Sequence, residues 1–335
     1  MIAVSNHSPR HVPVMLAEVL SALSPVDGGV YVDGTFGAGG YSQGILAAAD
    51  CRVIAIDRDP SAIAAGAELV GATSGRLQLE HGIFGDMQAI VGEARVQGVV
   101  LDIGVSSMQI DEAERGFSFM REGPLDMRMG QAGKSAADYV NALDAEDLAQ
   151  IIYILGEEPR SRSIAKAIVT ARSESPLLTT LDLVKAVERA TGPQRMKDRT
   201  HPATRTFQAL RIHVNAELDE LAQALVAAEN ILAVGGRLVV VTFHSLEDRI
   251  VKKFFAERSG SLPSNSRHMP VAALGAQPSF TMVRKSHTEA GPQEMLDNPR
   301  SRSAKLRAGI RTAAPSFKFD AKAMAVPVVE RRRQK

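Results

Sequence analysis

Three short apolar runs, each ending on an aspartate, constrain this chain more than any other feature of its sequence. They are Val30 to Asp33, Val53 to Asp57 and Val99 to Asp102. A glycine-rich turn, Gly34 to Gly40, follows the first, and Ser42 to Ala49 then reads as a helix. After the second run, Asp59 has the chemistry of an N-cap, with Pro60 at the first helical position of a helix reaching about Val70. Leu77 and Leu79 alternate with polar residues and predict a further strand before the Val99 run. Strands separated by helices imply an α/β fold built on a parallel, doubly wound sheet.

The rhythm then breaks. No clear strand is legible from Asp111 to Thr200, but helical spacing recurs. Leu148, Ile151, Ile152 and Leu155 predict one helix, with Asp144 and Asp147 at its start. Ile164 and Ile168 suit a second. Leu183, Val184 and Val187 suit a third, stopped by Gly192 and Pro193. So long a stretch is too much for a bare loop, and an all-helical insertion over 111–203 is expected. The sheet domain would then comprise 1–110 and 204–312. Leu210 to Leu232 predicts one long amphipathic helix, and Gly235 and Gly236 turn the chain into a strand over Leu238 to Thr242. Ser245 and Asp248 are placed to cap the next helix. Ala256 to Ser279 reads as a mobile loop, and Ala304 to Arg311 as a half-buried edge strand with a basic outer face. The stretch 313–335 reads as a disordered basic tail.

With 335 residues, 45% hydrophobic and 23% charged, the chain is of ordinary globular composition and large enough for two domains. It has no apolar run long enough for a membrane helix, and its first residues lack the apolar core of a signal peptide. The single cysteine, Cys51, builds neither a disulfide nor a cysteine metal cluster, and no metal site is expected. A reducing cytoplasm suits such a chain. Its net charge is only +1, but basic residues cluster locally. One cluster is Arg195, Lys197, Arg199, Arg205 and Arg211; another is Arg300, Arg302, Lys305, Arg307 and Arg311. Arg331 to Arg333 with Lys335 form a third. Such patches can bind phosphate when the total charge is near zero.

Ligands of open parallel sheets bind beyond the carboxyl ends of the strands. There the glycine turn lets a ligand approach the backbone, and Asp57 can take both hydroxyls of an adenosine ribose. Asp102 ends the fourth strand. A dinucleotide fingerprint fails narrowly, because Ser42 stands at its third position. Asp33-x-Thr35-x-Gly37-x-Gly39 instead looks like the first motif of S-adenosylmethionine-dependent methyltransferases, with Thr35 replacing a glycine.

Longer motifs decide the class. They are His81 to Gly85 (HGIFG), Leu101 to Asp111 (LDIGVSSMQID), Arg115 to Met129 (RGFSFMREGPLDMRM), Gly156 to Glu158, His201 to Leu218 (HPATRTFQALRIHVNAEL), Gly235 to Phe254 and Asn298 to Arg307 (NPRSRSAKLR). In this order, from about His11 to Arg311, they closely resemble the family of bacterial 16S rRNA cytosine-N4 methyltransferases (MraW/RsmH). The resemblance implies a Rossmann-like sheet with an inserted helical domain, S-adenosyl-L-methionine as cofactor, and 16S rRNA, within the small ribosomal subunit, as partner. By position it implies cofactor contacts at Gly39, Gly40, Tyr41, Asp57, Phe84, Asp102 and Gln109. Tyr41 stands where the family often has histidine, and Met108 where it often has proline.

An exocyclic cytosine amine is a poor nucleophile, because its lone pair is delocalised into the ring. Acceptors around the NH2 group can hold it out of plane and take a proton. Asp102 and Ser106 are therefore the expected catalytic residues. Ser107, His201, Arg205 and His244 are candidates for the substrate, the histidines having structural alternatives beside them. Methylation at C5 would need a cysteine nucleophile, and Cys51 falls at the far end of its strand. Two other functions stand beside the enzyme: a nonenzymatic ribosome-assembly factor with a vestigial pocket, and an NAD-dependent dehydrogenase.

Overall fold

A computed structural model describes residues 13–192, 200–261 and 277–330. They form two compact units. One runs through Gly104 and resumes over Glu220–Ala325; the other is Val105–Asp219 with the chain from Val326 onward.

In the first unit, α1 (Leu16–Leu23) precedes β1 (Val30–Asp33), α2 (Gly40–Ala48), β2 (Arg52–Asp57), α3 (Pro60–Ala72), β3 (Leu77–His81), α4 (Met87–Val91) and β4 (Val96–Asp102). In the second lie α5 (Ser107–Asp111), α6 (Ala136–Ala142), α7 (Ala145–Gly156), α8 (Ser161–Glu174), α9 (Thr180–Thr191) and α10 (Thr204–Asn215). Helix α11 (Glu217–Ile231) starts at the end of the second unit and continues into the first. There it leads to β5 (Leu232–Thr242), α12 (Ser245–Arg258), β6 (Phe280–Met282), β7 (Thr288–Glu289), α13 (Pro292–Asp297) and β8 (Lys305–Arg311). No helix among the described residues is long and apolar enough to cross a membrane.

The strands form one sheet in the order β3-β2-β1-β4-β5-β8-β6, with β7 also on β8. Pairings among β1 to β5 are parallel. Connections run outward from β1 on one side and from β4 on the other, so the topological switch point lies between these two strands. Both are apolar almost throughout, as strands covered on both faces must be. Asp59 caps α3 as its sequence predicts, accepting from the Ser61 amide at 3.0 Å with Pro60 in the first turn.

Three expectations are corrected. First, β8 is not an edge strand. It lies between β5 and β6, antiparallel to both, and its basic side chains face protein. Arg307 donates to Asp248 on α12 at 2.7 and 3.3 Å, and Lys305 lies 3.6 Å from the same carboxylate. Gly309 lies under Phe255 of α12; a Cβ there would come within 2.6 Å of the ring. Alternation suggested one wet face, but α12 covers it, and its acid pairs the arginine. Second, the long helix read over Leu210 to Leu232 is two helices broken at Ala216, which is left-handed (φ 51°). No glycine or proline marks the break. Asn215 imposes it through tertiary bonds, accepting from the Met129 amide at 2.8 Å and donating to the Met127 carbonyl at 2.8 Å. Third, the cap of α12 is His244 rather than Ser245. Most of the loop read over Ala256 to Ser279 lies outside the described residues, as do Arg195, Lys197, Arg199 and the basic residues after 330.

Behind the sheet, Glu229 of α11 and Arg258 of α12 form an ion pair at 2.6 Å with both side chains fully buried. The guanidinium sits 4.1 Å from the Phe254 ring centroid and 5.3 Å from that of Phe317. The other Glu229 oxygen accepts from the Ser279 hydroxyl at 2.6 Å and the Phe317 amide at 3.2 Å. Arg311 donates to the Glu229 and Ala314 carbonyls. One buried carboxylate thus ties the chain after β8 to the sheet.

Replacing Glu229 by Gln takes away the fully buried counter-charge of Arg258 and leaves it only the partly exposed Glu257 carboxylate, at 2.7 Å. A loss of about 3–5 kcal/mol is expected in urea unfolding. Arg189→Ala, which breaks an exposed pair with Glu174 at 3.5 Å, should change stability by less than ~0.5 kcal/mol. Equal losses in the two variants would refute the role given to the buried pair.

Candidate functional site

Strand register sets the depth of the acids at the sheet's carboxyl end. Asp33 pairs with Ala55 and with Val100, so Asp57 and Asp102 each stand two residues further along their strands. Two residues keep the same face and advance the chain by about 6–7 Å. The three aspartates therefore share one face, the face packed by α1 and α2, with Asp33 deepest. Asp33 is fully buried. Its carboxylate accepts from the Ser42 hydroxyl on α2 at 2.7 Å and from the Thr35 amide at 3.2 Å.

The glycine turn is laced to this floor. Thr35 accepts from the Asp102 amide through its hydroxyl oxygen at 2.8 Å. The residue that departs from the glycine motif is thus a bridge from the turn to β4. Asp57 accepts from the Gly37 amide at 2.7 Å and the Asp59 amide at 2.8 Å, one on each carboxylate oxygen. A carboxylate offers about four lone-pair positions, so capacity for ribose hydroxyls remains. Gly39 is left-handed (φ 78°), and a Cβ there would press within 2.8–2.9 Å of Leu69 and Phe36. A Cβ on Gly40 would overlap Pro13 at 2.1 Å. The Tyr41 side chain points into the core, where its hydroxyl donates to the Val14 carbonyl, so only its backbone is available to a ligand. Phe84, in the turn after β3, donates its amide to Glu220 at 3.1 Å. Glu220 also takes Arg58 at 2.7 Å, which fixes the turn against α11.

Asp102 is the anomaly. Its Oδ1 is buried and has no hydrogen-bond partner among the described residues. Burial, then the carboxylates of Asp33 and Glu247, push its pKa well above the usual carboxylate range. Burial also lifts Asp33 to about 6 and raises Asp57. None of the three aspartates has a lysine or arginine partner among the described residues. The rim is therefore an acid excess, which favours a cationic ligand over an anionic one. No group of three or more His, Cys, Asp or Glu among the described residues is placed to hold a metal ion.

His244 and Glu247 follow β5. Glu247 is fully buried, accepts from the Phe243 amide at 2.7 Å, and its Oε1 lies 2.7 Å from His244 Nε2. The His244 Nδ1 accepts from the Glu247 amide at 3.4 Å. Both ring nitrogens thus serve the start of α12.

The remaining candidates lie in the second unit. The Ser106 hydroxyl oxygen caps α5 by accepting from the Gln109 amide at 3.2 Å, and the Gln109 side chain accepts in return from the Ser106 amide at 3.0 Å. The cap holds Gln109 in place despite Met108 beside it. Ser107 opens α5, and its side chain lies outside what the structure describes. His201 accepts from the Ala203 amide at 3.1 Å, lies 3.5 Å from Glu188 and stacks on Phe119 with centroids 4.8 Å apart. Arg205, 55% exposed at its side chain, donates to the Glu157 carbonyl at 3.1 Å. Arg211, which the sequence groups with it, is instead held by Glu217 through two bonds of 2.9 Å.

Sequence reasoning placed Asp33 and Thr35 in the glycine motif without their structural roles, and missed Glu220 and Glu247. Asp33 carried a signal, as an acid ending an apolar strand. Glu247 carried a weaker one, three residues after His244 at capping-box spacing. Glu220 carried none, since its partners are 136 and 162 residues away.

The family model of the MraW methylase family matches residues 8–311. A ribosomal RNA small subunit methyltransferase H from Xanthobacter autotrophicus is 62% identical over 310 residues, covering 92% of this chain and 89% of its own. The protein of the same name from Azorhizobium caulinodans is 60% identical over 310 residues, covering 92% and 88%. That from Parvibaculum lavamentivorans is 55% identical over 331 residues, covering 97% of each chain.

The raised pKa of Asp33 has a definite sign in stability. Below about pH 4 the residue is protonated whether folded or unfolded, and its neutral burial is fully favourable. As pH rises toward 6 the unfolded chain ionises first, and that contribution is lost. Asp33→Asn cannot ionise. Its stability relative to the parent should therefore rise between pH 4.5 and 7.5, by about 2 kcal/mol. Parallel urea unfolding of both proteins across that range checks this; a constant difference would exclude Asp33 as the titrating group.

Proposed function

This chain belongs to the MraW methylase family, and from that premise we propose that it methylates the N4 amine of a decoding-centre cytidine in 16S rRNA, using S-adenosyl-L-methionine. The observation that carries the reading is Asp102: a carboxylate at the switch point, raised in pKa, with a buried oxygen that no group among the described residues satisfies.

The acid rim fits this cofactor, whose sulfonium is cationic. When bound, it supplies an electrophilic methyl carbon. Asp57 holds the ribose hydroxyls on lone pairs its backbone donors leave free. The backbone at Gly39, Gly40 and Tyr41 lies along the cofactor, Phe84 contacts the adenosine, and Gln109 completes the set. Asp102 Oδ1 accepts an N–H of the cytosine amine, keeping the N4 lone pair out of conjugation, and then takes the proton that N4 must lose. Burial makes the ionised Asp102 carboxylate more basic than an ordinary one, which favours that step. Ser106 keeps a hydroxyl proton to donate, but its oxygen already caps α5, so it is the lesser acceptor. Ser107, His201 and Arg205 are assigned to the RNA, and His244 to the start of α12. The substrate class places the protein in the cytoplasm.

An NAD-dependent dehydrogenase would bring two phosphate charges to a rim of aspartates with no lysine or arginine partner among the described residues, which electrostatics disfavours. S-adenosylmethionine should therefore raise the melting temperature and NAD should not. Asp57→Ala should weaken the cofactor in calorimetry. Asp102→Asn should cut methyl transfer by a factor of about 10²–10⁴. The deciding measurement is labelled transfer to unmethylated small subunits, with nucleoside mass spectrometry of the product. N4-methylcytidine at a single position is expected. A folded protein that binds the cofactor and transfers nothing to subunits or free rRNA would instead favour the nonenzymatic assembly factor.

A further inference from the structure

The motif over Arg115 to Met129 contains three methionines and two phenylalanines that sequence could not divide between core and ligand contact. The structure divides them. Met127 and Met129 are buried, whereas Met120 is 82% exposed. Beside it, the Phe119 ring packs edge-on to buried Phe207 at 4.9 Å, and on His201 at 4.8 Å with 39° between the planes. Phe119 is half-buried, and the His201 side chain is 21% exposed. A ring step with an apolar lip thus reaches the surface of the second unit.

Cationic groups continue from it around one end of the helical bundle, where α7 and α9 end and α8 and α10 begin. His201 lies 3.5 Å from Glu188 in the last turn of α9. The α9 carbonyl of Thr191 accepts from Arg160 at 3.1 Å, and Arg205 bonds the end of α7. Arg160 and Arg205 are each 55% exposed and share one buried carboxylate, Glu158, at 3.9 and 4.0 Å. Two guanidiniums share one buried carboxylate, and both arginine side chains stay largely open to solvent. Unpaired nucleotides are recognised by such a combination, a π-surface for the base and guanidinium donors for the phosphate.

We propose that Phe119, Met120 and His201 form a stacking step for an unpaired base of the RNA substrate, with Arg160 and Arg205 holding the adjoining phosphates. The inference rests on the reading of the chain as an rRNA methyltransferase and adds to it a base-binding surface outside the acid rim. Charge and aromatic character together favour a single-stranded RNA segment over an apolar protein partner, for which the arginines would have no use.

The test uses the full chain and a synthetic RNA hairpin with the target cytidine and 5-iodouridine at flanking unpaired positions. Irradiation should crosslink the wild type within the Phe119–Met120 segment or at His201, as mapped by peptide mass spectrometry. Phe119→Leu keeps apolar packing on Phe207, and Met120→Ser removes only an exposed side chain. Each should weaken hairpin binding roughly ten-fold by loss of stacking, with cofactor affinity and melting temperature unchanged. Arg160→Ala with Arg205→Ala should lower the salt dependence of binding. Crosslinks elsewhere, or hairpin affinity unchanged in both single variants, would overturn the stacking step. So would a defect seen only with assembled subunits and not with the hairpin, which would point to a protein partner. A wild type that neither binds the hairpin nor methylates rRNA would instead refute the functional reading beneath the proposal.

Discussion

Burial of strand-ending aspartates that have no lysine or arginine partner among the described residues is the constraint around which the first unit is organised. Asp33, Asp57 and Asp102 end three parallel strands on one face, and Glu247 follows the fifth strand beside them. Taking so much acid out of water is unfavourable, and the fold offsets it with fixed donors. Ser42 and the Thr35 amide serve Asp33, the Gly37 and Asp59 amides serve Asp57, and the Phe243 amide serves Glu247. Asp102 is left without such compensation. A site that carries this cost in the free protein could recover it on binding a cationic ligand.

The glycine turn has two tasks. Its amides and Thr35 stabilise the acid floor, and its lack of side chains lets α2 begin directly against Phe36 and Pro13. A side chain at Gly39 or Gly40 would displace α2 and, with it, the Ser42 hydroxyl on Asp33. The motif therefore governs the electrostatics of the site as well as ligand access. On the other side of the sheet, the buried Glu229–Arg258 pair gathers α11, α12 and the chain after β8, so β8 is covered rather than exposed.

The second unit divides its polar groups differently. Most of its arginines are spent on helix ends and carboxylates, as Arg211 is on Glu217. Those with exposed guanidiniums lie where four helices begin or end, near a ring pair that is only partly covered. A basic count along the sequence does not separate the two kinds of arginine, because it records charge and not occupancy.

The sequence by itself determined the parallel, doubly wound core, the glycine turn, the strand-ending acids and the family. These follow from local signals: short apolar runs, caps, turn residues and long motifs. Tertiary structure alone decided that β8 is interior, that one helix is two, and that His244 caps α12. It also decided that the buried Asp102 Oδ1 has no hydrogen-bond partner among the described residues. Each of these depends on contacts between residues far apart in the chain, such as Asn215 with Met127 or Arg307 with Asp248. Local periodicity cannot report such contacts, since it shows which side of an element is apolar but not what covers the other.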